Sequence, residues 1–226
     1  MPALVAGNTV VFKPASLTPL LAVRLVEVFE EAGLPPGVLN LVTGTGGEVG
    51  DAILAHPGVA LVSFTGSTET GDHVAMEAAR TRKRVSLELG GKNAIIVMDD
   101  ADLDLALDGI VARAFGTSGQ RCTAASRVIV HRAVERDLTA RLAERVGKLR
   151  LGNGLHEGVE IGPVISRAQL ERINSYMAIG QQEGAELVLG GRIVRDGALA
   201  DGHFHEPTIF GGAKATMRVA PEEIFG

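Results

Sequence analysis

The sequence predicts an α/β fold with a parallel sheet, and three observations carry that expectation. Short β-branched runs alternate with apolar-periodic stretches of helical length. Turns rich in Gly and Pro punctuate them, and the 29 glycines are roughly twice ordinary usage. The core-forming side chains are aliphatic, since aromatics make up 4% of the 226 residues, with no Trp and one Tyr. Strands and helices alternating at this spacing make right-handed βαβ units on a parallel sheet.

Residues 8–12 read as a first strand, closed by Lys13-Pro14. Thr18 is the expected N-cap, with Pro19 at the first helical position, and the helix stops at Gly33 before Pro35-Pro36. A second strand is expected over 38–42, a helix over 48–56 and a third strand over 59–64. A helix over 69–81 leads to a fourth strand, 84–89. The pair Gly90-Gly91 changes the texture of the chain and divides it into domains, 1–90 and 91–226. Beyond it come a strand over 94–98, a helix starting at Asp99-Asp100 and running to about Phe115, and a strand over 126–131. Helices follow over 134–149 and 166–184, and the Gly- and Pro-rich tail 197–212 is expected to hold a β excursion. No internal repeat or low-complexity tract interrupts this order.

Composition excludes several classes of function. Lys plus Arg number 22 against 27 Asp plus Glu, a formal charge of −5, which argues against phosphate neutralisation of nucleic acid. No apolar run approaches the ~18 residues of a membrane span, and the start, Met1-Pro2-Ala3-Leu4-Val5, lacks the features of a signal peptide. One cysteine makes no internal disulfide, and no Cys/His cluster has zinc spacing. A cytoplasmic protein without a structural metal is expected.

Three segments carry candidate chemistry. Thr65-Gly66-Ser67-Thr68-Glu69-Thr70-Gly71 follows a strand and opens a helix, where backbone N–H groups suit a phosphate. Asp72 stands where a P-loop needs Lys, so a P-loop is rejected, and an ordinary tight turn is the alternative. The run Gly44–Gly50 approximates a dinucleotide fingerprint with one residue too many. Cys122, in Gly119-Gln120-Arg121-Cys122-Thr123, is either a small buried hydrophobe or a nucleophile. The adjacent Arg121 favours a thiolate, and the segment is too polar for core. Glu88 lies at the carboxyl end of the fourth strand, on the face opposite Val85, Leu87 and Leu89. Ligands of open α/β sheets gather at that edge, so Glu88 is a general-base candidate or a plain surface carboxylate. The six histidines are scattered, and the acidic stretch Asp99–Asp104 reads as helix capping rather than metal binding.

Together these residues resemble the NAD(P)-dependent aldehyde dehydrogenase superfamily. The resemblance is carried by Phe64-Thr65-Gly66-Ser67, Leu87-Glu88-Leu89-Gly90-Gly91-Lys92, Gly119-Gln120-Arg121-Cys122 and the ending Pro221-Glu222-Glu223-Ile224-Phe225-Gly226. It covers essentially the whole chain. It implies an aldehyde-dehydrogenase-like α/β fold, with a partial Rossmann-type cofactor domain followed by the Cys-bearing catalytic domain. It also implies that Cys122 forms a thiohemiacetal and then a thioester, which water activated by Glu88 hydrolyses. By the same resemblance Lys13 and Ser16 meet the adenosine ribose and Ser67 the pyrophosphate. Glu223 holds the nicotinamide ribose, Phe225 packs near the nicotinamide, and Gly46, Gly66 and Leu89 line the cofactor. Homo-oligomers are the family's habit.

Two departures matter. Members preferring NAD commonly carry Glu where this chain has Ser16, so NADP is expected to be accepted, alongside NAD or in preference to it. The upstream segment with the oxyanion-hole Asn and the C-terminal portion are not in this chain, which resembles the middle of the enzyme and is expected to work poorly alone. A CoA-acylating relative, a thiol acyl hydrolase and a non-catalytic fragment are the competing alternatives. Glu88 argues against the first, and idle Lys13 and Glu223 against the second. Arg121 further resembles members acting on carboxylate-bearing semialdehydes, or else it only tunes Cys122 or packs.

Overall fold

A computed structural model describes residues 2–226, and the chain divides into two compact units, 1–89 and 90–226. In the first unit, a short helix α1 (Pro2–Val5) precedes β1 (Val10–Phe12) and α2 (Pro19–Glu31). Pro19 sits in the first turn of α2, where its missing N–H costs nothing. Thr18 occupies the N-cap position, but its side chain makes no capping hydrogen bond. The helix buries Ala22 and Val26, one turn apart, and ends before Gly33. β2 (Leu39–Leu41) pairs parallel with β1, Val10 opposite Leu39 and Phe12 opposite Leu41.

The helix expected over 48–56 begins instead as a wide π-type turn, Gly46–Gly50, and narrows to α3 (Asp51–Ala55). Thr45 starts it, its hydroxyl accepting from the Glu48 N–H. β3 (Leu61–Gly66), α4 (Thr68–Arg80) and β4 (Arg84–Leu89) make a strand–helix–strand unit, the two strands parallel from Leu61 opposite Arg84 to Gly66 opposite Leu89. α4 buries Gly71, Val74 and Ala78 at the three- and four-residue spacing of one helix face. Parallel pairing thus matches the alternation of elements, but the strands form separate pairs rather than one continuous sheet.

In the second unit, β5 (Asn93–Val97) and β6 (Ala125–Val130) pair parallel across α5 (Leu103–Ala114). α5 starts three residues later than its acidic approach suggested. Asp102 is the cap, accepting from the Asp104 and Leu105 N–H groups at 2.9 and 3.1 Å, while Asp99 and Asp100 lie in the preceding turn. α5 and α6 (Arg132–Val146) enclose a core of Val97, Leu107, Ile110, Leu138, Leu142 and Val146. Each such burial contributes roughly 1.5–3 kcal/mol. α7 (Arg167–Gln182), capped by Ser166, buries Leu170, Ile173, Tyr176 and Met177. The tail does hold a β excursion, β8 (Ile209–Gly211), but its antiparallel partner β7 (Glu186–Leu189) was not expected from the sequence. Among the described residues, no helix is long and apolar enough to cross a membrane, and no three His, Cys, Asp or Glu side chains gather as a metal site.

Candidate active site

The first unit collects its candidate residues at the carboxyl ends of its strands. Past β1, the Lys13 ammonium donates to the Pro14 carbonyl at 2.7 Å and to the Gly44 carbonyl at 3.3 Å. The Ser16 hydroxyl donates to the same Gly44 oxygen at 3.3 Å. These bonds tie the segment after β1 to the segment after β2. Gly44 has φ +153°, and a Cβ there would fall on the Val49 side chain, so only glycine allows this close turn. A cavity of about 250 Å³ lies here, lined by residues including Ala15, Ser16, Thr43, Gly44 and Glu48. Gly46 is exposed on the adjoining turn and does not line it.

At the other strand pair, Thr65 is opposite Glu88 and Gly66 opposite Leu89, so four candidates (Gly66, Ser67, Glu88 and Leu89) meet at one sheet edge. Ser67 caps α4, its Oγ accepting from the Thr70 N–H at 3.2 Å and donating to the Thr70 Oγ1 at 2.9 Å. The first turn of α4 lies close over the strand, because a Cβ on Gly71 would strike the Leu89 side chain. Glu88 is exposed.

In the second unit, Cys122 is exposed on the loop between a 3₁₀ turn, Gly116–Gly119, and β6. The loop is strained: Thr117 and Ser118 hold left-handed φ of 57° and 53°. Each such non-glycine residue costs on the order of 1–2 kcal/mol and persists only where the surroundings over-determine it. Those surroundings are visible. Ser118 Oγ donates to the Gly162 carbonyl at 2.8 Å, and the Ile165 N–H donates to Gln120 Oε1 at 2.9 Å. Asn93 Nδ2 donates to the Cys122 carbonyl at 2.7 Å and to the Ala124 carbonyl at 3.2 Å. Among the described residues, the Cys122 N–H has no intramolecular acceptor, which leaves it free for an incoming oxyanion. Arg121 turns inward, its Nη2 donating to the Ala112 carbonyl at 3.0 Å.

The ending segment is fastened to α7. Arg172 Nη2 donates to the Glu223 carbonyl at 2.7 Å, and Gln169 Nε2 to the carbonyls of Ile224 and Phe225 at 2.9 and 2.7 Å. Gln169 and Arg172 are one turn apart, so a single helix face holds three successive carbonyls. Phe225, with φ +65°, leaves its ring partly exposed. The Glu223 carboxylate accepts from the Gly91 N–H at 3.2 Å. Beside it, the paired Arg218 guanidinium, then the Tyr176 hydroxyl, hold the Glu222 carboxyl down to about 2. Lys92 and Glu223 both line a cavity of about 410 Å³ within this unit. Burial, and then the Arg127 charge, hold the Lys92 ammonium down to about 8, against the pull of Glu223.

A family model described as the aldehyde dehydrogenase family matches residues 1–226. The chain belongs to that family. It is 44% identical over 225 residues to the betaine aldehyde dehydrogenase of Bacillus subtilis (strain 168), and equally to that organism's alpha-ketoglutaric semialdehyde dehydrogenase. All of this chain is covered in both matches, but only 46% of either relative, so the chain spans about half the length of the curated relatives it matches. Among solved structures, a betaine aldehyde dehydrogenase from Staphylococcus aureus in complex with NAD+ superposes with a TM-score of 0.97 at 43% identity. That match covers 100% of this chain and 45% of the other. An aldehyde dehydrogenase C mutant from Pseudomonas syringae, complexed with NAD+ and octanal, does so at 0.95 and 43%, covering 100% of this chain and 46% of its own. Against this aldehyde dehydrogenase background, Asn93, Gln169 and Arg172 stand out as supports that sequence reasoning missed. Asn93 alone left a signal, a polar residue directly after the Leu87–Lys92 motif.

Proposed function

We propose that this chain carries the nucleophile, the water-activating base and the cofactor contacts of an enzyme oxidising an aldehyde to a carboxylic acid with NAD(P)+. The observation that carries this reading is the exposed Cys122 on a strained, multiply anchored loop with its own N–H free. The Cys122 thiolate adds to the aldehyde carbon, and the carbonyl electrons move onto oxygen, which accepts from the Cys122 N–H. Bound NAD(P)+ supplies the two-electron acceptor that leaves a thioester on Cys122. Glu88 takes a proton from water as that water attacks the thioester carbon. The C–S bond then breaks, releasing the carboxylic acid and restoring the thiolate.

The residues present fit the cofactor. Lys13 uses two of its three ammonium donors on carbonyls and keeps one, and the Ser16 oxygen keeps its lone pairs at the cavity edge. These two would hold the adenosine ribose. Ser67 and the start of α4 would take the pyrophosphate, with Gly66 and Leu89 beside it and Gly46 on the neighbouring turn. Glu223 would hold the nicotinamide ribose, with the Phe225 ring beside the nicotinamide. NADP is accepted alongside NAD because no carboxylate stands at residue 16. Arg121 gives one of its five N–H donors to the Ala112 carbonyl of α5 and lines the cavity of this unit with the others uncommitted, which fits either a support for the loop or a contact to a substrate carboxylate.

The test uses the complete polypeptide with betaine aldehyde, alpha-ketoglutaric semialdehyde and octanal. Cys122→Ala abolishes cofactor reduction with every aldehyde. Glu88→Gln retains a burst of reduced cofactor and then stalls, because only thioester hydrolysis has lost its base. Full turnover in Cys122→Ala would overturn the reading.

A further inference from the structure

Gly90 has no conformational reason to be glycine. Its φ is outside the left-handed region, so its backbone suits any L residue. What excludes a side chain is Glu223. A Cβ at residue 90 would lie 2.5 Å from the Glu223 Cδ and Oε1, and closer still to Oε2, with no other neighbour ranking among its three nearest atoms. The next residue, Gly91, meets nothing within 4 Å of a Cβ, and it gives its N–H to the same carboxylate at 3.2 Å. The carboxylate is therefore seated on bare backbone, 132 residues away in sequence. The same cavity wall carries the Lys92 ammonium, buried and without a hydrogen-bond partner, whose charge suits an anion at that place.

We propose that Gly90 and Gly91 are positioning residues that form a cradle for the Glu223 carboxylate, and that the missing side chain at residue 90 sets where that carboxylate stands to grip the cofactor. This rests on the assignment of Glu223 to the nicotinamide ribose. The obstructing atoms are the far end of a flexible side chain, so a methyl group at residue 90 displaces them with little strain on the fold. The carboxylate leaves the Gly91 N–H and its aim changes. A charged hydrogen-bonding group moved out of reach weakens binding on the order of tenfold or more.

The experiment is a double-substitution cycle in the complete polypeptide, using Gly90→Ala, Glu223→Ala and both together. Affinity for NAD+ is read by calorimetry, melting temperature by circular dichroism, and the alkylation rate of Cys122 by iodoacetamide. Gly90→Ala should weaken NAD+ about tenfold, with melting temperature and Cys122 alkylation as in the unsubstituted protein. In the Glu223→Ala background it should change NAD+ affinity no further. If Glu223→Ala leaves NAD+ affinity untouched, the assignment of Glu223 fails. If Glu223→Ala weakens NAD+ and Gly90→Ala does not, the cradle alone fails. If Gly90→Ala does not fold, the double variant decides: folding there supports the cradle, because the carboxylate was the obstacle, and failure there overturns it.

Discussion

The proposed choice of cofactor turns on a single residue, Ser16. Its hydroxyl is committed to the Gly44 carbonyl, beside Lys13 on the same oxygen, and the Glu48 carboxylate lines the same cavity. A 2′-phosphate brought near a glutamate at this position would face like charge at hydrogen-bond range, worth on the order of several kcal/mol in a partly buried site. Ser16→Glu should therefore shift the ratio of kcat/KM for NAD over NADP by tenfold or more, mainly through the KM for NADP. Steady-state kinetics with both cofactors measures it, and an unchanged ratio would place the discrimination elsewhere. Residue types of this kind were legible in the sequence. Cys122, Glu88 and Lys13 are chemically conspicuous, and each turned up at a loop or strand end, as its flanking glycines and prolines implied.

Among the elements, α5 separates what sequence pattern resolves from what it does not. Four aspartates, Asp99, Asp100, Asp102 and Asp104, precede or open its apolar face, and any of the first three has the chemistry of a cap. Only the backbone decides, and it gives both N-terminal N–H groups to Asp102. Asp102→Ala should cost about 1 kcal/mol of stability in urea unfolding, with Asp99→Ala near zero, since Asp99 caps nothing. Equal effects would mean the macrodipole, and not the hydrogen bonds, sets the value of these carboxylates. The strands were visible for a related reason. Runs such as Val59–Phe64 and Ala94–Met98 are β-branched and bounded by Gly or Asp, whereas β7 is four residues hidden behind α7 and has meaning only beside β8. The wide turn at Gly46–Gly50 escaped because consecutive glycines carry no side-chain pattern to read.

For the molecule as a whole, Lys92 links its folding to alkaline pH. Its ammonium titrates near 8 in the folded chain and near 10.5 when unfolded, chiefly because burial disfavours the charge and Arg127 repels it. Between those values the unfolded chain binds more protons, so stability rises with pH through this window and the penalty is fully present below 8. After allowance for partial exposure the gain is on the order of 1–2 kcal/mol. Lys92→Met should remove this rise, which urea unfolding of both proteins at neutral and at alkaline pH compares directly; parallel curves would show that Lys92 is not its source. The supports of the candidate site were illegible for a reason of scale. Asn93 reaches a carbonyl 29 residues on, Arg172 one 51 residues on and Gln169 two more than 50 residues on, and no local pattern encodes such distances. The seat of Glu223 belongs to the same long-range class, and it constrains descent as well as chemistry. A mutation that gives residue 90 a side chain while Glu223 is in place meets the carboxylate, whereas one that follows the shortening of residue 223 does not. The order of two substitutions then decides what the one at residue 90 costs in cofactor grip.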